Sequence, residues 1–340
     1  MKYRAVLENT IGETRAAVYE GRRLVELHLE RESQKSVPQS GDVYLARIAN
    51  LEPSLNGAFV DLGRGNSGFL SFTNNQAMPK VTEGQLLEVS VLRPPLNEKE
   101  ATLRFSKIVE SGKPGPITKI DLKTRLSNRF KGITFDEATV SVMDEVTERQ
   151  IALKRGGAVT FDQTQALLAI DVDKGLGKNS LEVNLAAADL IAQQLRLRGL
   201  GGLVVIDFPN LRQTRQRNQL FKAVERAFEG DPAIVKVAPL SRFGCVELTR
   251  SLDYPSLDSV LNDRFGEPTV ETKSLRALRQ LVKEASGNKG AQFSLTVSKE
   301  INDWLASKAI DWESDLKDRI GARYTIAIHD RDGFSVQADR

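Results

Sequence analysis

Cysteine and histidine are almost absent from this chain. The single cysteine, Cys245, excludes an intramolecular disulfide and a multi-cysteine zinc site, and agrees with a reducing compartment. His28 and His329 stand near opposite ends, neither beside a nucleophile motif. Ser-His-Asp and Cys-His mechanisms are therefore disfavoured, and any chemistry has to run on carboxylates, a metal, or both. Long apolar runs are lacking too: the longest, around residues 203–208, is far too short to cross a bilayer. The start, Met1-Lys-Tyr-Arg-Ala-Val-Leu-Glu, has no uninterrupted apolar core like that of a signal peptide, so a cytoplasmic protein without a membrane span is expected. Nor is one sign of charge in large excess. A net +3 over 340 residues permits a polyanionic partner without demanding one, and what matters is whether the positive charge clusters.

What is present divides the chain into several units, more than one core's worth at this length. Residues 3–7, 13–19 and 23–29 read as three short strands separated by turn chemistry. A polar break at 33–40 precedes a dense run of strand signals from 42 to 105. Gly57, Gly63, Gly65, Gly68 and Gly84 punctuate that run, which suits a small all-β barrel. A second break, 107–116, leads into a mixed, charged stretch in which residues 136–149 suit a helix. Gly156-Gly157 opens an α/β region reaching 250. After a joint at 253–270, helices over 271–285 and 299–306 and strands over 292–297 and 324–329 make a small α+β tail.

The α/β region carries the strongest chemical signal. Two apolar runs, Ala166-Leu-Leu-Ala-Ile-Asp171 and Leu203-Val-Val-Ile-Asp207, each end in aspartate. Between them, residues 181–198 have helical apolar spacing, a cap at Asn179 or Ser180 and Gly199 past the end. Strand, helix, strand implies a right-handed crossover and parallel strands, so both carboxylates leave the same carboxyl-terminal edge. If the strands are neighbours they lie about 4.8 Å apart, and the two side chains could share one small hard cation such as magnesium, which is often held by one or two carboxylates plus water. Asp171 opens the loop Asp171-Val-Asp173-Lys174-Gly175-Leu-Gly177-Lys178-Asn179, which offers Asp173 as a further ligand and Lys174 as a phosphate contact. The plainer reading is that strand-end aspartates are solvated or cap the next turn.

After Asp207, Arg212, Arg215, Lys222 and Arg226 recur at helical spacing on roughly one face, and Arg242 follows a strand over 234–240. Such a face suits a phosphate backbone, although a solvated charged face is equally compatible with any one arginine. In the barrel, Phe59 and Phe69 flank a hairpin around Arg64-Gly65-Asn66. Alternation sets Phe59 opposite to Ala58, Val60 and Leu62, the outward arrangement on which bases stack; the competing reading places both rings in the core.

Longer blocks carry a resemblance. Glu52-Pro-Ser-Leu-Asn-Gly-Ala-Phe-Val-Asp-Leu-Gly63 followed by Gly68-Phe-Leu70 resembles the S1 domain, an OB-fold RNA-binding module, with a lead-in like that of ribonucleases E and G. Ala169-Ile-Asp171, Asn184-Leu-Ala-Ala-Ala-Asp189, Ile191-Ala-Gln-Gln-Leu-Arg-Leu-Arg198, Leu200-Gly-Gly-Leu-Val-Val-Ile-Asp-Phe208 and Ser241-Arg-Phe-Gly244 resemble the catalytic region of that family, in family order. The resemblance implies a multidomain α/β (α+β overall) protein. Its expected layout is N-terminal strands of a remnant RNase H-like subdomain (1–35), an S1-type OB-fold β-barrel (36–106), a contracted linker or subdomain (107–150), a DNase I-like catalytic domain (151–258) and a small C-terminal α+β domain (259–340). It further implies a magnesium-dependent endoribonuclease of RNA processing or decay, rRNA processing included. Single-stranded RNA would be cut to leave 5′-phosphate and 3′-hydroxyl ends. Asp171 and Asp207 would be metal ligands with Asp173 assisting, Phe59 and Phe69 would position bases, and Lys174, Arg212, Arg215 and Arg242 would contact the backbone.

Three departures qualify this. Asp173 stands where the family usually has asparagine, and the loop after it is shorter. The stretch before residue 130 is contracted, so the family's 5′-monophosphate sensor is expected to be missing. No cysteine pair follows the catalytic region, so any homo-oligomer forms without a zinc link. A non-catalytic single-stranded RNA-binding protein of the same fold is the alternative. An α/β enzyme acting on a small phosphorylated metabolite is the more distant rival.

Overall fold

The structure is a computed structural model and describes residues 2–73, 80–96, 99–144, 146–154, 156–176, 179–288 and 290–339. The first three strands, β1 (Tyr3–Thr10), β2 (Glu13–Glu20) and β3 (Arg23–Arg31), form an antiparallel meander. They run a few residues past their apolar stretches because pairing continues into polar ends, as between Glu8 and Arg15.

Next comes a closed OB-like barrel of β4 (Val43–Glu52), β5 (Gly57–Gly63), β6 (Asn66–Ser71), β7 (Leu86–Arg93) and β8 (Ala101–Val109). The strand order is β5-β6-β8-β7-β4, β4 pairs back onto β5, and β6 runs parallel to β8. Alternation sends Ile48, Val60, Leu70, Val89 and Leu103 into its core. The following residues fold back onto the barrel and the N-terminal sheet. β9 (Gly115–Thr118) pairs with β4. α1 (Leu122–Arg129) and β10 (Thr134–Glu137) then return to the N-terminal sheet, β10 parallel to β1. Leu122, Leu126 and Phe130 pack there against Ala5, Ala16, Val18 and Val25. The helix anticipated over 136–149 does not form, and a short 3₁₀ turn at Ser141–Asp144 follows β10 instead. Val140, Met143 and Val146, which the core needs buried, recur every third residue, a 3₁₀ rather than an α spacing.

The central sheet comprises β11 (Gln150–Ala152), β12 (Ala158–Gln163), β13 (Leu168–Asp173), β14 (Gly202–Asp207), β15 (Val235–Val237) and β16 (Val246–Arg250), in the order β11-β12-β13-β14-β16-β15. Among the described strands of this sheet, β13 and β14 alone are parallel neighbours, joined across α2 (Ser180–Arg198). Asn179 caps α2 through its side chain and Gly199 ends it at φ 69°. With α3 (Thr214–Ala227), α2 covers one face of the sheet, burying Ile170, Ile191, Leu195, Val204, Ile206 and Leu220 together. The chain finishes with α4 (Leu257–Leu261), α5 (Val270–Gly287), β17 (Gln292–Ser298), α6 (Lys299–Ala306), α7 (Trp312–Ile320), β18 (Tyr324–His329) and β19 (Phe334–Asp339). The sequence reading lacks α7 and β19. Both are short and polar, and they are held by Trp312, Leu316, Phe334 and Val336 against the α5–β17 core.

Two buried polar networks fasten the N-terminal sheet to the rest. At one end Ile11 enters the C-terminal core, and Glu13 bonds Arg15, Arg31 and Arg279. At the other, Glu26 is fully buried. It meets His28 Nε2 at 2.9 Å and accepts from Arg129 Nε at 3.0 Å and the Tyr254 hydroxyl at 3.2 Å. Burial alone would raise the Glu26 pKa, but His28 and Arg129 hold it down at about 2 from an ordinary 4.5. Its stabilising effect is therefore complete above pH 4.5 and is lost as pH falls toward 2, a contribution of about 3 kcal/mol. The measurable outcome is that Glu26→Gln lowers the urea midpoint most at neutral pH, with a difference from the unaltered chain that shrinks between pH 4.5 and 2.

Candidate nucleic-acid and metal site

Asp171 and Asp207 are register partners on the parallel strands β13 and β14. Their neighbours Ile170 and Ile206 point into the core beneath α2 and α3, so by alternation both carboxylates stand on the opposite, uncovered face, where both are exposed. Adjacent strands lie about 4.8 Å apart. One detail differs from the sequence reading. β13 does not stop at Asp171 but continues to Asp173, because antiparallel pairing of Thr160 with Asp171 and of Ala158 with Asp173 extends it. Asp173 thus shares the face of Asp171 at about 6.6 Å further along the strand. Its Oδ1 accepts the Gly175 N–H at 2.8 Å. Among the described residues, no third acidic, His or Cys side chain gathers with the pair into a ligand cluster. Gly157 supports this turn at φ 88°; a Cβ there would come within 2.2 Å of the Asp173 carbonyl. Gly177 and Lys178 lie outside the described residues.

Surrounding elements fix the end of β14. Asn184, fully buried in α2, donates from Nδ2 to the Pro209 carbonyl at 2.8 Å and so ties down the segment just past Asp207. The sequence hint for this role is an amide in the otherwise apolar stripe of α2. Arg217 donates to the Ser241 carbonyl at 2.7 Å, joining α3 to the turn before β16. That turn brings the Cys245 thiol to 3.9 Å from Asp207 Oδ1. Burial and then the Asp207 charge push the thiol pKa up, keeping it protonated.

The basic residues fall into separate places. Arg215, Lys222 and Arg226 lie exposed on α3. Arg212 precedes the helix, whose cap is Gln213, so it is not on that face as the spacing suggested. Arg242 is exposed in the turn before β16, and beside it Phe243 is 92% exposed, an aromatic the sequence reading did not single out. Lys174 is half-buried beside Asp173.

On the barrel, Phe59 and Phe69 are cross-strand partners with ring centroids 5.2 Å apart and planes tilted by 60°. Ala58, Val60, Leu62 and Leu70 fill the core while both rings remain half-exposed outside it. Phe69 sits over Gly57, where a Cβ would lie 2.4 Å from the ring. Arg64 and Gly65 turn the hairpin with φ of 56° and 78°, as a type I′ turn requires.

The sequence model of the Ribonuclease E/G family matches residues 81–252. Ribonuclease G of Escherichia coli is 23% identical in an alignment covering 94% of this chain and 95% of that one. That alignment runs over 468 positions against 340 residues here, so the relative carries segments this chain lacks. Ribonuclease E of the same organism is 33% identical over 56% of this chain and 19% of its own length. A chloroplastic ribonuclease E/G-like protein of Arabidopsis thaliana is 36% identical over 42% of this chain and 15% of its own length. No described helix is long and apolar enough to cross a membrane. With half of its length matched by the family's own sequence pattern, this chain belongs to the ribonuclease E/G family.

Proposed function

We propose that the chain is an endoribonuclease of RNA processing or decay that hydrolyses single-stranded RNA with magnesium, leaving 5′-phosphate and 3′-hydroxyl ends. The observation carrying this reading is the parallel register that sets Asp171 beside Asp207 on an open face. The donor set fits the ion: two exposed carboxylates offer hard oxygens on neighbouring strands, and magnesium completes its shell with water and phosphate. Held there, it would supply positive charge against the phosphodiester oxygens and polarise the attacking water. Asp173, committed to its turn, supports the loop and adds negative potential. The DNase I-like reading of the central sheet rests on the same strand–helix–strand unit.

The chain's other residues bind and orient. Arg212, Arg215, Arg242 and Lys174 neutralise backbone phosphates, a contact that is independent of sequence and weakened by salt. Phe59 and Phe69 stack bases on the outside of the OB-like barrel, and the exposed Phe243, two residues before the Cys245 that meets Asp207, offers a third ring.

Divalent-dependent cutting of a fluorescent AU-rich oligonucleotide tests the proposal. Asp207→Asn should cut at least about 100-fold more slowly, the upper end of what losing a mere outer-shell partner costs, while still binding RNA. If the unaltered chain binds RNA but leaves it whole under every divalent ion, the passive RNA-binding alternative replaces this one. Phe69→Ala should weaken binding of single strands by about 5- to 150-fold, the equivalent of about 1–3 kcal/mol per stacked base, with its melting temperature unchanged. Because the segment between the barrel and residue 130 is so short, 5′-monophosphorylated and 5′-hydroxyl RNA should be cut at equal rates. A marked preference for the monophosphate would refute that independence.

A further inference from the structure

The outward row of β5 does not end at Phe59. Asp61 and Gly63 follow at alternate positions, so they share its face, about 6.6 and 13 Å further along the strand. There residues 113–116 pass over β5. A Cβ on Gly63 would lie 2.4 Å from the Pro114 carbonyl, so glycine alone lets the two backbones approach. A cleft of about 560 Å³ opens between this segment and the hairpin tip, lined by Asp61, Arg64, Gly65 and residues 113–116.

Both walls are fixed before anything binds. Gly115 and Pro116 pair with Leu45 and Tyr44 of β4, and the prolines of Lys113-Pro-Gly-Pro116 hold their own backbone angles. On the other side Gly63 pairs with Asn66 and closes the two-residue turn. Arg64 is the odd residue in that turn. It sits at φ 56°, in the left-handed region that asparagine or glycine fills at lower cost. Strained positions of this kind gather at ligand clamps.

The charges point the same way. Arg64 and Lys113 are exposed, and neither has an ion pair among the described residues. Asp61 is turned to its own backbone, where Oδ1 accepts the Gly63 N–H at 2.7 Å. Its charge disfavours a phosphate lying directly on β5, whereas the two walls each present a cation.

We propose that this cleft holds a backbone phosphate of the single-stranded RNA whose bases stack on Phe59 and Phe69. The strand then leaves the aromatic pair along β5 toward the hairpin tip, with Arg64 and Lys113 contacting the phosphate from the two walls. The inference rests on the RNA-binding part of the function proposed above and not on cleavage.

Binding of a fluorescent ten-nucleotide oligoadenylate to the full chain tests it, in EDTA so that no divalent ion bridges RNA to the aspartates. Arg64→Asn combined with Lys113→Gln should weaken binding and flatten the slope of log affinity against log salt by about 1.4, about 0.7 for each cation withdrawn. Arg64→Asn alone should flatten it by about 0.7 while melting no lower than the unaltered chain, because asparagine suits the turn. Lys299→Gln, on α6, removes a charge of the same sign elsewhere and should leave the slope as it was. The dinucleotide ApA, too short to reach the tip, should bind the double variant and the unaltered chain alike. If Phe69→Ala weakens binding and the double variant does not, the stacking platform stands and this subsite is overturned. If Lys299→Gln flattens the slope as much as Arg64→Asn does, the effect belongs to net charge and the proposal is overturned as well. A chain that binds no single-stranded RNA sinks both the subsite and the reading beneath it.

Discussion

The candidate site depends on the register of two parallel strands. A slip of one residue between β13 and β14 would turn one carboxylate into the core and bring an isoleucine to the open face. The pattern resists this from both sides, because Ile170 and Ile206 pair in the same register and are buried together beneath α2. The crossover helix closes the device. Asn179 begins it, Gly199 ends it, and Asn184 in its middle reaches across to hold the chain just past Asp207. The chemistry proposed for the aspartates is thus set by hydrophobic burial on the opposite side of the sheet.

A second constraint lies in the N-terminal sheet, which is packed on both faces. Leu122, Leu126 and Phe130 cover one side. On the other, Ala17 and Leu27 meet Leu197 of the crossover helix and Leu257 and Leu261 of α4. Glu26, tied to Arg129 on α1 and paired with Arg196 on α2, joins these layers through charge. Such buried networks hold only when each member has its partner.

The barrel solves a different problem: displaying apolar rings in water. Phe59 and Phe69 stay outside because the positions alternating with them, Ala58, Val60 and Leu70, are the ones that fill the barrel core. They brace one another across β5 and β6, and Gly57 leaves the space that Phe69 occupies. A stacking platform held in this way is rigid before any base arrives, which limits the ordering cost of binding.

Much of this was legible in the residues. The strand–helix–strand unit, its caps, the aspartate pair and the outward phenylalanines all follow from local period and turn chemistry, because each concerns neighbours along the chain or one crossover. Sequence did not reveal that β13 runs on to Asp173, since that extension comes from pairing with β12. It placed Arg212 on a helix that starts two residues later, left α7 and β19 unseen, and took the 3₁₀ segment for part of a helix. Phe243 and the buried amide of Asn184 were likewise missed, for exposure and a contact across 25 positions are tertiary facts. The joint between the two ends of the chain belongs wholly to that level: Arg15 and Arg279 share the Glu13 carboxylate only because the first hairpin docks on the last domain. Local pattern determined which side chains face in and which face out, as a strand's alternation and a helix's stripe are properties of adjacent residues. Which distant charges meet was decided by packing alone.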